Sequence, residues 1–384
     1  MKYRHKQPIG WKIYYLSELT KPIKQIVGKK SIIALSISAK IGFVPQIEKF
    51  GRDISGKQYN NYILLRYGEF AYNKGNSYSY PQGCVYRLEN YREAAVPNVF
   101  ECFSCNKLFV LPTFLKQYFE GNFHGKQLFR LINSGVRNNG LLNLTTNDFY
   151  NLKLFLPPIE EQKKIVEVLE SWDKAINLTK RLIAQKELQK KYLMQQLLTG
   201  RTRLKGFNTK WKKSKLKQLC AINKGQQLNA DTLTSTGLYP CLNGGIIPSG
   251  YTDKWNREGN TISISEGGNS CGYVNFNISR FWAGGHCYTL SYVKINNLFL
   301  YCALKAKENL IMKLRVGSGL PNIQRQSLED LILSVPSVKE QKAIAEVLSS
   351  ADKEIDLLKQ KLTKLEEQKK GLMQVLLTGK IRLK

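Results

Sequence analysis

The sequence predicts an α+β protein in which two mixed α/β domains alternate with two long amphipathic helices, as an internal duplication. The main observation is a repeat. The segment that opens PPIEEQKKI at Pro157 and closes LLTGRTRLK at Lys205 recurs without a gap as PSVKEQKAI to LLTGKIRLK, at an offset of 179 residues (336 − 157). Each copy follows a longer region in which short apolar or alternating stretches are separated by turns rich in glycine and asparagine, a pattern typical of strands.

The repeat divides the chain into four parts, which are a first mixed domain at 1–156, a first long helix at 157–205, a second mixed domain at 206–335 and a second long helix at 336–384. The two mixed domains are related to each other as well. Matching residues open both domains at an offset of 200 residues (211 − 11), namely Trp11, Leu16 and Leu19 in the first and Trp211, Leu216 and Leu219 in the second. The order is therefore domain, helix, domain, helix.

Both long segments alternate apolar residues every four and three positions, which is the heptad of a coiled coil. The predicted seam residues are Ile165, Leu169, Trp172 and Ile176 in the first copy and Ile344, Leu348, Ile355 and Leu362 in the second. Lys190 and Lys369 occupy equivalent seam positions, and such polar layers often fix pairing at some cost in stability. Ser337 and Glu340 predict a capping box at the start of the second helix.

The charge points to a polyanionic partner. The 384 residues contain 59 Lys and Arg against 29 Asp and Glu, a formal net charge of +30. Nucleic acid is the first candidate and an acidic membrane surface is the second. No apolar run approaches the roughly 20 residues that a membrane span needs, and no signal peptide is evident, so we expect a cytosolic protein with reduced cysteines. Cys102 and Cys105 form a lone CxxC, which does not predict a zinc site.

Basic residues concentrate where the first long helix meets the second domain. Arg201 and Arg203 close the helix, and Lys212 and Lys213 follow around Trp211. These four side chains are candidates for binding DNA phosphates, which position a protein and make its binding sensitive to salt without specifying sequence.

Sequence specificity requires amide, arginine and glutamate side chains that reach base edges. Candidates in the turn-rich stretches of the first domain are Lys40, Gln46, Tyr72, Asn73, Lys74, Asn76, Arg137, Asn138 and Asn139. Candidates in the second domain are Gln226, Gln227, Asn243, Glu266, Asn269, Ser270, Arg315 and Ser318. Ordinary turns use the same residue types, so each residue taken alone fits a turn or a phosphate contact as well as a base contact.

No catalytic motif is apparent. The stretch from Gly51 to Lys57 imitates the phosphate loop GxxxxGK, but Gln58 replaces the Ser or Thr that would bind magnesium. We find no Asn-Pro-Pro-aromatic quartet and no nuclease-like carboxylate cluster, and neither a catalytic residue nor a metal site is predicted.

These features together resemble the specificity (S, HsdS) subunits of type I restriction-modification systems. The resemblance rests on the openings LPPIEEQKKI and VPSVKEQKAI, on the closings LLTGRTRL and LLTGKIRL, and on the tryptophan and leucines that open each domain. It covers essentially the whole chain, and the helical motifs are specific because they occur as a doubled set.

The resemblance implies a fold of two target recognition domains alternating with two helices that pair as an antiparallel coiled coil, with pseudo-two-fold symmetry. Each domain would read one half of a bipartite, asymmetric target in double-stranded DNA, and the helices would set the spacing and dock two methyltransferase (M) subunits. Restriction (R) subunits would join them. The resemblance implies no cofactor in this chain, whereas the partner subunits would use S-adenosylmethionine, ATP and magnesium. A cytoplasmic, prokaryotic, non-catalytic protein without membrane attachment is expected.

Two alternatives remain open from the residues alone. One is a cytosolic coiled-coil scaffold whose basic domains bind RNA or acidic lipid. The other is an enzyme whose catalytic residues form no recognisable motif. The first copy of the repeat ends just before Trp211. By the internal duplication, the second copy should end near Trp11, the residue equivalent to Trp211, so we also expect the two ends of the chain to lie close together.

Overall fold

The structure of the protein is a computed structural model. The residues that it describes are 8–39, 41–52, 54, 56–75, 80–131, 144–317 and 321–383. The chain forms two compact units. The first unit combines Met1–Thr179 with Lys361–Lys384, and the second comprises Lys180–Gln360. Each long helix therefore contributes one part of its length to each unit.

The first unit contains ten short strands and five short helices within the described residues. The strands are β1 (Lys12–Tyr15), β2 (Thr20–Pro22), β3 (Leu35–Ser38), β4 (Gly42–Pro45), β5 (Ile63–Arg66), β6 (Phe70–Asn73), β7 (Cys84–Arg87), β8 (Glu93–Val96), β9 (Glu101–Cys105) and β10 (Lys153–Leu156). The helices are α1 (Leu16–Leu19), α2 (Gln46–Phe50), α3 (Pro112–Glu120), α4 (Gly125–Phe129) and α5 (Thr146–Tyr150), with a 3-10 helix at Gly56–Asn61. The stretch from Phe109 to Leu131 has helical apolar spacing and forms α3 and α4, which are separated at Gly121.

The first long helix, α6 (Ile159–Leu197), leads into the second unit. Its strands are β11 (Lys212–Lys215), β12 (Ala221–Lys224), β13 (Tyr239–Leu242), β14 (Gly250–Thr252), β15 (Thr261–Ser265), β16 (Val274–Asn277), β17 (Trp282–Ala283), β18 (Cys287–Ser291) and β19 (Ile332–Val335). Its short helices are α7 (Leu216–Leu219), α8 (Asn297–Ala306), α9 (Glu308–Met312) and α10 (Arg325–Glu329), with a 3-10 helix at Ala230–Thr232. The second long helix, α11 (Val338–Leu376), then runs back into the first unit.

The two units share one sheet plan. Each has a two-stranded antiparallel ladder that joins the first strand of the unit to the last, β1 with β10 and β11 with β19. Each also has a four-stranded antiparallel sheet, in the order β2-β9-β6-β7 in the first unit and β12-β18-β15-β16 in the second. In both sheets the two strands at one edge are consecutive in the chain, so that β6–β7 and β15–β16 are equivalent hairpins.

The remaining strands differ between the units. The first unit adds the two-stranded ladders β3-β4 and β5-β8, whereas the second adds a three-stranded sheet, β14-β13-β17, in which β13 and β17 run parallel. The mixed α/β fold that the sequence predicts is therefore confirmed, and the strand order shows a duplication that only the helices and domain openings reveal in the sequence.

Each hydrophobic core includes a turn from both long helices. The core of the first unit joins the tryptophan and leucines of its opening to Ile165 and Leu169 of α6 and to Met373 and Leu376 of α11. The core of the second unit likewise contains Leu197 of α6 with Ile344 and Leu348 of α11. Within each unit the ends of the helices are therefore held by the domain that they flank. No helix in the described part of the chain is long and apolar enough to cross a membrane.

Candidate nucleic-acid interface

A buried glutamate anchors the start of each long helix. In the first unit, Arg382 donates two hydrogen bonds to Glu161, from Nε to Oε1 at 2.6 Å and from Nη2 to Oε2 at 2.7 Å. Trp11 Nε1 donates a third, at 3.2 Å, to Oε2. Burial alone would raise the pKa of Glu161, but the hydrogen bonds from Arg382 and Trp11 outweigh it and hold that pKa below its usual value. The carboxylate is therefore ionised at neutral pH.

The second unit repeats this group of three residues. Arg203 donates from Nε to Glu340 Oε1 at 2.6 Å and from Nη2 to Oε2 at 2.7 Å, and Trp211 Nε1 donates to Oε2 at 3.2 Å. The predicted capping box forms only in part, because Ser337 Oγ accepts from the Glu340 backbone at 3.4 Å while the Glu340 carboxylate binds Arg203 and Trp211 instead. Arg203, a candidate phosphate ligand, is thus neutralised by a buried partner.

The same contacts join described residues near the two ends of the chain. Arg382 Nη1 donates a 2.7 Å hydrogen bond to the carbonyl of Ile9, and its guanidinium lies 5.8 Å from the centre of the Trp11 ring. The described residues nearest the two ends of the chain therefore meet, as the sequence predicts.

The second domain brings most of its candidate residues to one edge of the four-stranded sheet. Four connections converge there, after β12, after β13, after β15 and before β18. Asn243 Oδ1 accepts from His286 N at 3.0 Å, Glu266 N donates to His286 O at 2.9 Å, and Ser265 Oγ donates to Gly244 O at 2.6 Å. These bonds bring the candidates Asn243 and Glu266 together around His286, which lies 43 (286 − 243) and 20 (286 − 266) positions after them in the sequence.

Gln226 and Gln227 follow β12 at the same edge, and both are exposed. Gln226 N donates to Ala283 O at 2.8 Å, and the Gln227 side chain lies so close to Gly285 that a Cβ there would come within 2.7 Å of Gln227 Oε1. The backbone of Gln226 and the side chain of Gln227 therefore flank the turn that leads into β18.

Glu266 lies at the centre of this edge and is buried. Its Oε1 accepts from Lys224 Nζ at 2.7 Å and from the Tyr288 hydroxyl at 3.1 Å. Burial, together with the adjacent Glu266 carboxylate, raises the pKa of Tyr288 to about 12, so the hydroxyl keeps its proton and can donate it. His286 Nδ1 lies 3.4 Å from Oε2.

The remaining described candidates of the second domain are Asn269, Ser270 and Arg315. Asn269 and Arg315 are exposed and Ser270 is half-buried. Short bridges join Gly267 and Val316 to Asn322, which brings the loop of Asn269 next to the segment that carries Arg315. Ser318 lies outside the described residues.

The first domain presents its described candidates differently. Tyr72 is buried and stacks on Phe149 with ring centres 4.3 Å apart, and Gln46 is buried with its amide 3.2 Å from the Tyr62 hydroxyl. Both side chains are therefore part of the domain interior. Asn73 and Lys74 are half-buried, and Lys74 forms a 2.8 Å ion pair with Glu101. Lys40, Asn76, Arg137, Asn138 and Asn139 lie outside the described residues.

The candidate phosphate ligands near the second domain differ in accessibility. Lys212 and Lys213 lie on β11 and are exposed, as is Arg201 just after α6. Nothing in the described chain neutralises Lys212 or Lys213 through an ion pair, in contrast to Arg203. These exposed cations suit a contact with phosphates, and all of the proposed contacts with DNA stay predictions.

The predicted seam residues of the helices are mostly covered. Ile165, Leu169, Ile176, Ile344, Leu348 and Ile355 are buried, and Trp172 and Leu362 are half-buried. In the second unit Lys186 of α6 binds Glu354 of α11 at 2.7 Å, and Lys190 binds Asp352. The later residue of α6 pairs with the earlier residue of α11, so the two helices run in opposite directions within this unit.

Several residues of the interface escape prediction from the sequence. His286 and Lys224 surround Glu266, and Ile246 and Ile247 are exposed at the tip of the β13–β14 hairpin. The sequence signal is weak, because a lone histidine and a lone lysine carry no spacing pattern. Two consecutive isoleucines in the glycine-rich stretch NGGIIPSG could have marked the hairpin tip.

The fold and the interface define a class of protein, a duplicated mixed α/β chain with a basic surface and polar loops gathered at a sheet edge. A family model, the type I restriction modification DNA specificity domain, matches residues 54–188 and again residues 208–367. The two matches cover well over half of the 384 residues. The chain belongs to this family.

Individual relatives agree with this assignment. S.MpnORF638P of Mycoplasma pneumoniae, named as a type I specificity subunit, is 39% identical over 155 residues, which are 39% of this chain and 41% of that protein. The specificity subunit of the type I restriction enzyme MjaVIII from Methanocaldococcus jannaschii is 26% identical over 288 residues, covering 66% of this chain and 68% of the relative. The alignment thus spans less than half of the Mycoplasma relative.

Solved structures share the fold. The crystal structure of the type I restriction-modification S subunit from M. genitalium superposes with a TM-score of 0.64 over 98% of both chains at 17% sequence identity. At that identity the similarity bears on the fold alone. The comparisons give no support to a coiled-coil scaffold that binds RNA or lipid.

Proposed function

We propose that this chain is the DNA sequence-recognition subunit of a type I restriction-modification complex. Each mixed domain reads one half of a bipartite, asymmetric target in double-stranded DNA. The long helices set the distance between the half-sites and dock two methyltransferase subunits, to which restriction subunits attach. The chain itself performs no catalytic step.

One observation carries the proposal, namely that the two units place unlike loops on equivalent hairpins. The connection from β6 to β7 contains KGNSYSYPQG and the connection from β15 to β16 contains EGGNSCGY, although the four-stranded sheets share one strand order. Equivalent scaffolds with different loop sequences suit the reading of two different half-sites. The formal charge of +30 supplies the attraction to phosphates that such a reader needs.

Contacts between the helices support a paired spacer. In the first unit Lys369 of α11 binds Asp173 of α6 at 2.6 Å, and in the second Lys359 of α11 binds Glu187 of α6 at 2.8 Å. Together with the buried seam residues, these ion pairs favour an antiparallel coiled coil along both helices. Exposed apolar side chains on α6, such as Leu188 and Tyr192, offer a surface for protein partners.

The reaction chemistry is assigned to the partner subunits. S-adenosylmethionine would bind the methyltransferase subunits, and ATP and magnesium would serve the restriction subunits. Among the described residues, no group of three or more His, Cys, Asp or Glu side chains is placed to hold a metal ion. The family model that the chain matches describes a DNA specificity domain, which suits a recognition role for this chain.

Mapping of methylated bases tests the proposal. The chain is co-expressed with a methyltransferase subunit from the same source, and the host DNA is read by long-read sequencing. We expect one motif with two defined parts separated by an unspecified gap. A matched chimera, in which residues 12–156 are replaced by residues 212–335, should methylate a palindromic motif built from one of the two parts. A continuous motif, or a chimera with the parent motif, would overturn the proposal.

A further inference from the structure

The carboxylate of Glu266 has one oxygen that the domain does not satisfy. The residue is 6% exposed, and Oε1 already accepts from Lys224 and Tyr288. Oε2 is buried and accepts no hydrogen bond from the described residues. A buried acceptor without a donor is destabilising, so such an atom calls for a functional explanation.

His286 is the group that faces this oxygen. Its Nδ1 lies 3.4 Å from Glu266 Oε2, without the alignment of a hydrogen bond, and its side chain is 63% exposed. The backbone of His286 is fixed on both sides, since its N–H donates to Asn243 Oδ1 at 3.0 Å and its carbonyl accepts from Glu266 N at 2.9 Å. A rotation of the ring would align Nδ1 with Oε2, and Nε2, on the far side of the ring, would then point away from the buried carboxylate.

The surroundings of the ring leave room for a ligand. Gly267 and Gly244 flank it, and an added Cβ would lie 3.9 Å from His286 Nδ1 at the first and 3.3 Å from His286 Cβ at the second. The absence of a Cβ at both positions lets His286 pack closely against these loops, while 63% of its side chain stays exposed to a ligand. Gln227 is exposed at the same edge.

We propose that His286 reads a single base in the half-site of the second domain, and that Glu266 positions its ring. The ligand is the exocyclic amino group of adenine or cytosine in the major groove. The inference rests on the proposed function, because it assumes that this sheet edge faces DNA.

The chemistry follows from the position of the proton on the neutral ring. A carboxylate beside Nδ1 favours the tautomer in which Nδ1 carries the proton and donates it to Oε2. Nε2 is then an acceptor, and adenine N6 and cytosine N4 are the amino donors that the major groove displays. Guanine O6 and thymine O4 are acceptors and are rejected by this tautomer.

Duplexes with altered bases test the reading of an amino group. Once the target is mapped, each adenine of the second half-site is replaced in turn by purine, which lacks the 6-amino group, and each cytosine by 2-pyrimidinone, which lacks the 4-amino group. Binding is measured with the full chain in complex with its methyltransferase subunit. At one position the loss of the amino group should weaken binding about tenfold in the wild type and less than twofold in His286→Ala.

A matched control keeps this experiment specific. Ile278 is exposed and follows β16, at the opposite end of the β15–β16 hairpin from Glu266. Ile278→Ser should therefore retain the tenfold effect at every position where the wild type shows it. Equal sensitivity to the analogues in the wild type and in His286→Ala, with both proteins folded by circular dichroism, would overturn the inference.

Glu266→Gln tests the positioning role. Lys224 and Tyr288 both donate, so the amide oxygen of the new side chain should face them and its NH₂ group should face His286 Nδ1. The ring would then carry its proton on Nε2 and donate to guanine or thymine. We expect the preferred base at that one position to change from an amino to a keto base in the methylation map.

The outcomes separate this inference from the proposed function. A uniform loss of affinity in Glu266→Gln, without a change of base, would assign Glu266 a structural role and refute the positioning step. A wild-type complex that binds and methylates a bipartite target, while no base depends on His286, would refute the inference alone. A wild-type complex that binds no duplex would refute the proposed function itself.

Discussion

Lys369 and Asp173 form a 2.6 Å ion pair between the two long helices, and the same pair recurs 179 residues away as Lys190 with Asp352 (369 − 190 and 352 − 173). In both units, therefore, the lysine that the heptad places in the seam forms an ion pair with an aspartate of the other helix. Lys369 is buried, and Glu120 of α3 lies 3.4 Å from its ammonium. The polar layer thus ties the helices to each other and, in the first unit, to the domain.

We expect the two members of the Lys369–Asp173 pair to respond differently to substitution. Asp173→Ala should destabilise the first unit by about 2 kcal/mol, because it leaves a buried ammonium with one partner and removes the acceptor of Gln117 Nε2. Lys369→Met should cost less, about 1 kcal/mol, because the two carboxylates that it leaves behind, Asp173 and Glu120, are 33% and 32% exposed and stay hydrated. Hydrogen exchange of the α3 amides measures both effects, and equal losses would contradict the argument.

The equivalent pair in the second unit provides the matched comparison. The side chains of Lys190 and Asp352 are 25% and 44% exposed, against 11% and 33% for Lys369 and Asp173. Water screens the more exposed pair, so Asp352→Ala should cost less than about 1 kcal/mol. Hydrogen exchange of the α8 amides reports this value. A cost as large as that of Asp173→Ala would show that burial does not set the strength of these pairs.

Glu161 should be essential for the first unit. Glu161→Gln removes the charge from a buried group that accepts from Arg382 and Trp11, which should cost about 3 kcal/mol and release the described C-terminal residues from Ile9. Proteolysis near residues 377–383 should accelerate accordingly. Glu340→Gln is the counterpart in the second unit, where we expect faster cleavage between residues 198 and 210 and no change at the C-terminal end.

The sign of the pKa shift of Glu161 determines how this residue contributes to the stability of the protein at low pH. The folded protein holds the pKa of Glu161 below that of the unfolded chain, so the stabilisation is complete above the unfolded pKa and is lost as the pH falls through the depressed value. Urea unfolding between pH 6 and pH 3 should show a larger loss of stability in the wild type than in Glu161→Gln, which retains the other titrating groups of the unit.

The helices and the domain order were predictable because they rest on repeats. The heptad places Ile165 and Leu348 in the seam from sequence alone, and both are buried. The matched openings place Trp11 and Trp211 at equivalent sites, which the hydrogen bonds to Glu161 and Glu340 confirm. Each of these motifs is a contiguous stretch of sequence, so it can be recognised without knowing the tertiary structure.

The arrangement of the candidate base-reading loops was harder to predict because long-range pairing determines which residues meet. Tyr72 carries the residue type of a base contact, yet the register of β6 directs it into the aromatic core against Phe149. Conversely, His286 joins Glu266 only through the pairing of β15 with β18. Turn composition marks where loops occur, but it does not indicate which side of a strand faces the core.

His124 should make the first unit sensitive to acid. It is fully buried, neither ring nitrogen has a hydrogen-bond partner among the described residues, and burial lowers its pKa from 6.5 to about 3. The unfolded chain protonates this histidine below about pH 6.5 while the folded chain does not. Stability should therefore fall by roughly 2 kcal/mol between pH 7 and pH 5 from this residue alone.

His124→Phe isolates that contribution. The ring lies 5.0 Å from Phe119, so an aromatic replacement suits the site. The variant should be at least as stable as the wild type at pH 7 and should lose the part of the pH dependence that lies between 6.5 and 5. Urea titrations of both proteins at several pH values give the comparison, and parallel profiles would contradict the assignment.

Lys212 and Lys213 should bind phosphates without affecting the choice of target. Both are exposed and free of ion pairs in the described chain, so each phosphate contact should contribute about 0.9 to the slope of log K against log salt. Lys212→Ala and Lys213→Ala should each reduce that slope by about 1 and leave the methylated motif unchanged. Lys217, whose ammonium lies 3.6 Å from Asp330, is the matched control, and Lys217→Ala should leave the slope nearly unaltered. An altered motif in either variant would mean that these lysines contact bases, because a phosphate contact carries no sequence information.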